Sequence, residues 1–293
     1  MKRPNARTDI SPPKWQSDLP PQRETAPIVE STKRVRVAAS MNEVTMGIVL
    51  SIFLTASFVG AGEPKPSKDP VAPVAQPRYE TRRDHDPDGI GKFYMGREIA
   101  HVMSYRGAGW LDRPEREKEE HVSKLLPPLK IKAGDHVADI GAGSGYYSLK
   151  IAKLVGEQGK VYATDIQPQM LEIIKAKMKQ QSVANIDPIL CTEKDPKLPQ
   201  GKIDLIFMVD VYHELAYPYE VMEKMVASLK PGGRLVFVEF RLEDENVPIK
   251  VVHKMSEKQV IREMAPFPVR HVETQGHLPW QHVVIFEKAA NAK

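Results

Sequence analysis

The chain has 293 residues, 41% of them hydrophobic, enough to build one large domain or two small ones. Its net charge of +4 sits in residues 1–40, which hold eight Lys/Arg against four Asp/Glu, while the remainder balances at 34 against 34. A neutral body gives no charge-level case for a nucleic-acid partner, and a single cysteine, Cys191, excludes an intrachain disulfide and any cysteine-based zinc site.

Residues 1–40 are rich in proline and charge and are expected to form a disordered basic arm. Within residues 41–62 the uncharged run MGIVLSIFLTASFVGAG, Met46 to Gly62, follows Lys33, Arg34 and Arg36 and closes on small residues. That layout suits a secretory signal peptide; an uncleaved signal anchor and a buried core helix are the competing readings. The first two imply an exported or membrane-anchored protein of the cell envelope, associated with the membrane through residues 46–62; a cytoplasmic location is the alternative. Five prolines between Glu63 and Pro77 make residues 63–87 an extended linker.

Residues 88–114 mix Tyr94, Met95, Tyr105 and Trp110 with Arg97, Arg106 and Arg113 and read as a cap segment ahead of the main domain, residues 115–293. From Glu115 the texture alternates. EREKEEHVSKLLPPL predicts a lead-in helix; HVADIG, KVYATDI, IDPILC and IDLIFMVDV predict strands; GYYSLKIAKLVG, PQMLEIIKAKMKQ and PYEVMEKMVASLK predict the helices between them. PGG stops the third of those helices before a strand RLVFVEF. Such β-α steps predict a mostly parallel, doubly wound α/β sheet. The end of the chain departs from the pattern: a capped helix, SEKQVIREMA, precedes VRHVETQ and QHVVIFEK, two strands close enough to pair antiparallel. Cys191, in apolar DPILC, reads as an inert thiol buried in a strand.

Chemistry concentrates at the first strand-helix junction. In VADIGAGSGYYS the glycines Gly141, Gly143 and Gly145 let backbone approach a ligand where side chains would collide, and Asp165 ends the next strand, where a carboxylate can accept both hydroxyls of a ribose. A dinucleotide would fit as well as other adenosine compounds. The GxGxG spacing, with Asp139 before it, differs from the GxGxxG of dinucleotide folds, and no GxxxxGK[ST] phosphate loop occurs.

VADIGAGSGYYSLKIA, VYATDIQPQMLE, IDLIFMVDVYHEL and LKPGGRLVFVEF together resemble the successive motifs of class I S-adenosylmethionine-dependent methyltransferases. The resemblance implies a Rossmann-like seven-stranded sheet, helices on both faces, its last strand antiparallel beside the fifth, and S-adenosyl-L-methionine as cofactor. Carried over by position, Asp139 and Gly141, Ala142, Gly143 and Gly145 would hold the methionine end. Asp165 and Ile166 would hold the ribose, Thr192 and Glu193 would sit by the adenine, and Asp210 would lie beneath the reactive methyl group. Where the family often shows a GD pair, this chain has CTEKD.

Methyl transfer is an in-line displacement on a carbon already activated by a sulfonium, so the protein has to align the acceptor and, in some cases, deprotonate it; no metal is required. The candidates at the end of the fourth strand are His213 as general base, with Glu214 orienting it or Tyr212 shaping the pocket, and Glu239 on the fifth strand as an acid for a cationic or hydroxylated acceptor. His253, Trp280, Gln281 and His282 read as packing and loop hydrogen bonds. DHDPDG, Asp84 to Gly89, imitates a calcium loop, but Met95 stands where the bidentate Glu belongs, and calcium is rejected. The expected activity is methylation of a small-molecule, lipid or envelope-associated acceptor. The alternatives are a catalytically silent adenosylmethionine-binding protein and a protein or RNA methyltransferase.

Overall fold

Among the described residues two sheets form, and the hydrophobic pattern of their strands decides which one carries the core. A computed structural model describes residues 78–290; the arm, the apolar run and most of the linker lie outside the described residues. Ahead of the main sheet, β1 (Tyr79–Thr81), β2 (Gly89–Tyr94) and β3 (Arg97–Ala100) make a small antiparallel sheet in the order β1-β2-β3. Tyr94 pairs with Arg97 across a two-residue turn in which Met95 and Gly96 both have positive φ, +48° and +87°. Short helices α1 (Ala108–Leu111), α2 (Arg116–Glu120) and α3 (Val122–Leu125) lead into the main domain. The expected single helix over Glu115–Leu129 is therefore broken: His121 takes a left-handed conformation, φ +50°, and Pro127–Leu129 close as a 3-10 turn.

The main sheet follows: β4 (His136–Ile140), α4 (Tyr146–Val155), β5 (Lys160–Asp165), α5 (Pro168–Gln181), β6 (Ile186–Leu190), β7 (Ile203–Val209), α6 (Pro218–Ser228), β8 (Leu229–Phe240), α7 (Glu257–Met264), β9 (Val269–Gln275) and β10 (Gln281–Lys288). The strand order is β6-β5-β4-β7-β8-β10-β9, parallel as far as β8, with β10 inserted antiparallel between β8 and β9. This is the expected seven-stranded Rossmann-like sheet. Alternation along each strand feeds two cores: Val137, Phe207, Val236 and Val283 face α3, α4 and α5, while Ala138, Met208, Phe237 and Val284 face α6 and α7. Burying both faces explains why β7 and β10 read as near-continuous apolar runs.

Two boundaries differ from expectation. PGG does not separate α6 from β8, because the strand begins at Leu229, and Lys230 reaches Asp204 at 2.6 Å. Cys191 lies one residue past β6, half-buried on a cleft wall; burial pushes its thiol up to about 11, which keeps it protonated. No helix among the described residues is long and apolar enough to cross a membrane.

Candidate active site

The parallel strands of the main sheet end on one edge, and the loops leaving β4, β5, β6 and β7 converge there on a single cleft. The loop after β4 makes the floor. Gly141 and Gly143 have φ of +63° and +54°; a Cβ on the first would meet Val211 Cγ1 at 2.7 Å, and one on the second Leu111 Cδ1 at 2.6 Å. Both conformations favour glycine, and at Gly141 the β-branched Val211 also leaves no room for a Cβ. Asp165, at the end of β5, accepts hydrogen bonds from the Gly143 N–H at 3.0 Å and the Gln167 N–H at 2.8 Å, which fixes the carboxylate against the cradle. Gly141, Gly143, Asp165, Ile166, Thr192, Glu193 and Asp210 line the cleft.

Asp139, Ala142 and Gly145 do not. β4 alternation turns the Asp139 side chain under α4, where it accepts the Ser148 hydroxyl at 2.5 Å; burial pushes its carboxyl up to about 7. Ala142 packs on the core, its N–H donating to the Thr164 carbonyl, and Gly145 closes the turn ahead of α4 against Ile174. These three shape the cradle from behind.

Beyond the cradle, β7 ends at Asp210, a non-glycine residue held at φ +56°. Its Oδ2 accepts from Gln281 Nε2 at 3.2 Å, whereas Oδ1 is buried and accepts no hydrogen bond among the described residues. Burial, reinforced by the charges of Glu120 and Glu239, pushes this carboxyl well above its ordinary range. A buried carboxylate oxygen on a cleft wall, with no partner of its own, suits a cationic ligand. With the glycine cradle and Asp165, it fits the sulfonium and ammonium of S-adenosylmethionine beside its ribose.

The 3-10 turn Tyr212–Glu214 brings His213 to the cleft, and its support comes from elsewhere in the chain. Glu239 is fully buried and accepts the Tyr212 N–H at 2.8 Å and His213 Nδ1 at 2.6 Å. A carboxylate can only accept, so Nδ1 carries the proton and Nε2 faces the cleft. Burial alone would lower the His213 pKa, but the charge and hydrogen bond of Glu239, with Glu214 behind them, hold it above the ordinary imidazole value. Glu239 is thus a positioning residue inside the protein, not a rim acid for the acceptor. Tyr212 does not line the cleft either: it is fully buried, edge-on to Phe237 at 4.9 Å. Glu214 does not orient His213 but accepts the Met103 N–H at 3.2 Å, and burial pushes its carboxyl up to about 7.

Several residues take roles in the site that the sequence does not predict, His253 and Gln281 among them in place of the packing and loop hydrogen bonds expected. His253, in a 3-10 turn after β8, lies beside His213 with Nδ1 to Nε2 3.2 Å apart, and burial together with the neighbouring imidazole pulls it down to about 3. Gln281 holds Asp210. Gln167 binds the preceding segment at two points, accepting from the Tyr105 N–H at 2.8 Å and donating to the Met103 carbonyl at 2.9 Å. Val102, Met103, Trp110, Leu111 and Arg116 complete the wall, so the expected cap segment does contribute to the site. Arg97 anchors it, paired with buried Glu263 at 2.8 Å and donating to the His213 carbonyl at 3.1 Å. Trp280 packs on Phe240, Val247 and Ile249, and His282 is buried; both keep the packing role expected of them.

A family profile described as a methyltransferase domain matches residues 131–282, just over half of the chain. Similar proteins include the ubiquinone/menaquinone biosynthesis C-methyltransferase UbiE of Francisella tularensis subsp. novicida and that of Pseudomonas putida. They are 32% and 31% identical over 111 residues, 38% of this chain and 44% and 43% of theirs. The chain thus spans less than half the length of the curated relatives it matches. A solved S-adenosylmethionine-dependent methyltransferase from Aquifex aeolicus superposes with a TM-score of 0.60 at 26% identity, covering 64% of this chain and 99% of its own. On the profile, the sheet order and the glycine cradle, the chain belongs to the class I S-adenosylmethionine-dependent methyltransferases, and S-adenosylmethionine is its cofactor.

Proposed function

We propose that the chain methylates a small, largely apolar acceptor that carries an ionisable oxygen, and that the methyl group goes to a carbon beside that oxygen. The observation carrying this reading is the continuity of one cleft. The same cleft is lined by Gly141, Gly143 and Asp165 and by His213, which Glu239 backs, together with the apolar side chains of Leu215, Phe240 and Ile249. S-adenosylmethionine supplies a methyl group already activated by its sulfonium. Asp165 would hold the ribose and Asp210 the cationic end, while the apolar wall aligns the acceptor and excludes water. His213 Nε2 would take the proton of a hydroxyl, and the resulting oxyanion makes the adjacent carbon of an unsaturated ring electron-rich. That carbon would take the methyl group as the sulfur–methyl bond breaks, then lose its hydrogen as a proton, restoring the unsaturated ring. The partial similarity to C-methyltransferases of quinone biosynthesis supports carbon as the receiving atom. The envelope location expected from residues 46–62 belongs to the same proposal, since a membrane would be the source of such an acceptor.

The full chain should bind one equivalent of S-adenosylmethionine by calorimetry. With 13C-methyl donor it should release adenosylhomocysteine on addition of an apolar membrane extract, giving a product whose labelled methyl resonates as C–CH3. Tight binding without release on any fraction would favour a silent binding protein. Label recovered in protein or RNA would replace the small acceptor by a macromolecule.

A further inference from the structure

The cleft holds three potential ligand side chains whose donor atoms lie close together. One donor atom each of His213, Glu214 and His253 lie within 4.8 Å of one another, and both imidazoles are buried. His213 Nε2 and His253 Nδ1 are 3.2 Å apart, with the rings at 86°. Two imidazoles sharing one tetrahedral zinc at about 2.0–2.1 Å place their nitrogens about 3.3–3.4 Å apart, so the spacing of this pair suits a shared ion. Neutral His253 has only to carry its proton on Nε2 instead of Nδ1.

The surroundings are those of a supported ligand set. Glu239 takes the Nδ1–H of His213 at 2.6 Å, the carboxylate-histidine arrangement that fixes ring and tautomer behind a metal-bound imidazole. The Arg97 guanidinium holds the His213 carbonyl at 3.1 Å, and the Met103 N–H holds one Glu214 oxygen at 3.2 Å, so the turn that presents two of the three ligands is pinned from both sides. Two imidazoles and one carboxylate are the donors of borderline transition ions; magnesium and calcium favour all-oxygen sets. Three protein ligands leave a fourth position, in a cleft that Phe240 and Ile249 also line.

We propose that His213 Nε2, His253 Nδ1 and a carboxylate oxygen of Glu214 bind one divalent transition-metal ion, zinc in preference to magnesium or calcium, leaving a coordination position for the acceptor's oxygen. In the loaded site that oxygen would lose its proton to solvent under the ion's charge, and His213 would act as a ligand in place of the general base. The ion's role in catalysis rests on the proposed function; its binding does not.

The test uses the full chain, stripped with a chelator and titrated by calorimetry with zinc alone. Visible absorption on loading with cobalt(II) serves as a second probe. The wild type takes up one ion per chain. His253→Gln and Glu214→Gln weaken uptake by more than about 100-fold, and Glu239→Gln, which loosens only the support, weakens it by about 10- to 100-fold. His271→Ala, at an exposed histidine bonded to Thr274, leaves uptake unchanged. S-adenosylmethionine affinity measured on the same samples shows that each variant has folded. Substoichiometric uptake by the wild type, or full-affinity uptake by both His253→Gln and Glu214→Gln, overturns the site. A stripped chain that methylates its acceptor at the zinc-loaded rate overturns the ion's role while leaving the proposed function intact. A chain that takes up zinc but releases no adenosylhomocysteine overturns the function and not the site.

Discussion

At the scale of single residues, the acids around the cradle divide by where strand alternation points them. Asp139 faces inward under α4, and its carboxyl is pushed by burial up to about 7 from 3.8. A carboxyl raised in the folded state binds its proton more tightly there than in the unfolded chain. The fold is therefore unpenalised below the unfolded value and loses stability as pH rises toward the folded one. Asp139→Asn keeps an acceptor for the Ser148 hydroxyl and removes that loss. It should leave the melting temperature of the full chain nearly unchanged at pH 4 and raise it by roughly 5 °C at pH 8, read by scanning calorimetry. Equal shifts at both pH values would mean that the carboxyl is not titrating across this range. Asp165 faces the cleft instead, and Asp165→Ala removes both the expected ribose contacts and the acceptor of the Gly143 N–H. Two hydrogen bonds to a charged acceptor make the expected loss of S-adenosylmethionine affinity roughly 100-fold or more by calorimetry. Gly141→Ala has a different cause. Its Cβ would press on Val211 at 2.7 Å in a left-handed backbone, so it should cost about 1–3 kcal/mol in urea unfolding and weaken the cofactor site together with the fold.

At the scale of elements, β3 and α7 are tied by one buried ion pair, Arg97 with Glu263, at 2.8 and 3.0 Å. Arg97→Met leaves the Glu263 charge buried and unpaired and should cost about 3–5 kcal/mol. Adding Glu263→Leu should recover most of that stability without restoring turnover, because the clamp on the His213 carbonyl stays lost; urea unfolding and steady-state kinetics separate the two effects. This contact is also a measure of what the sequence made legible. The main sheet was readable because strands buried on both faces are continuous apolar runs and its helices carry a clear period. The hairpin β2-β3 was not: its two-residue turn puts Met95 where such turns favour Asn, Asp or Gly, so the usual signal is missing. The break at His121 was hidden for a similar reason, since a left-handed residue in a run of good helix formers leaves no mark. In the site, the cradle and Asp165 follow from local spacing. Glu239, Gln281, His253 and Gln167 act through partners 26 to 71 residues away, pairings set by strand order and invisible to any local pattern.

At the scale of the whole molecule, the division between a cap segment and a methyltransferase domain beginning at residue 115 describes motifs better than it describes stability. The segment before residue 115 supplies Val102, Met103, Trp110 and Leu111 to the cleft wall, covers Gln167 and Glu214 with backbone hydrogen bonds, and neutralises Glu263 through Arg97. Two distinct losses should follow from removing it. A fragment of residues 115–293 takes the Arg97 counter-charge away from Glu263, which keeps Gln259 as a hydrogen-bond partner at 2.8 Å, and should be destabilised by up to about 3–5 kcal/mol, less where solvent reaches the freed carboxylate. Glu263→Met in the same fragment removes the unpaired charge and should restore a cooperative thermal transition. Affinity for S-adenosylmethionine should nevertheless stay at least about tenfold below that of residues 78–293, because apolar surface that covered the ligand is gone and no substitution in the fragment returns it. Calorimetry on the rescued fragment decides between the two losses. Weak binding in a folded fragment means that the segment is part of the cofactor site; affinity equal to that of the longer chain means that its contribution is confined to stability and to the Arg97 anchor of His213.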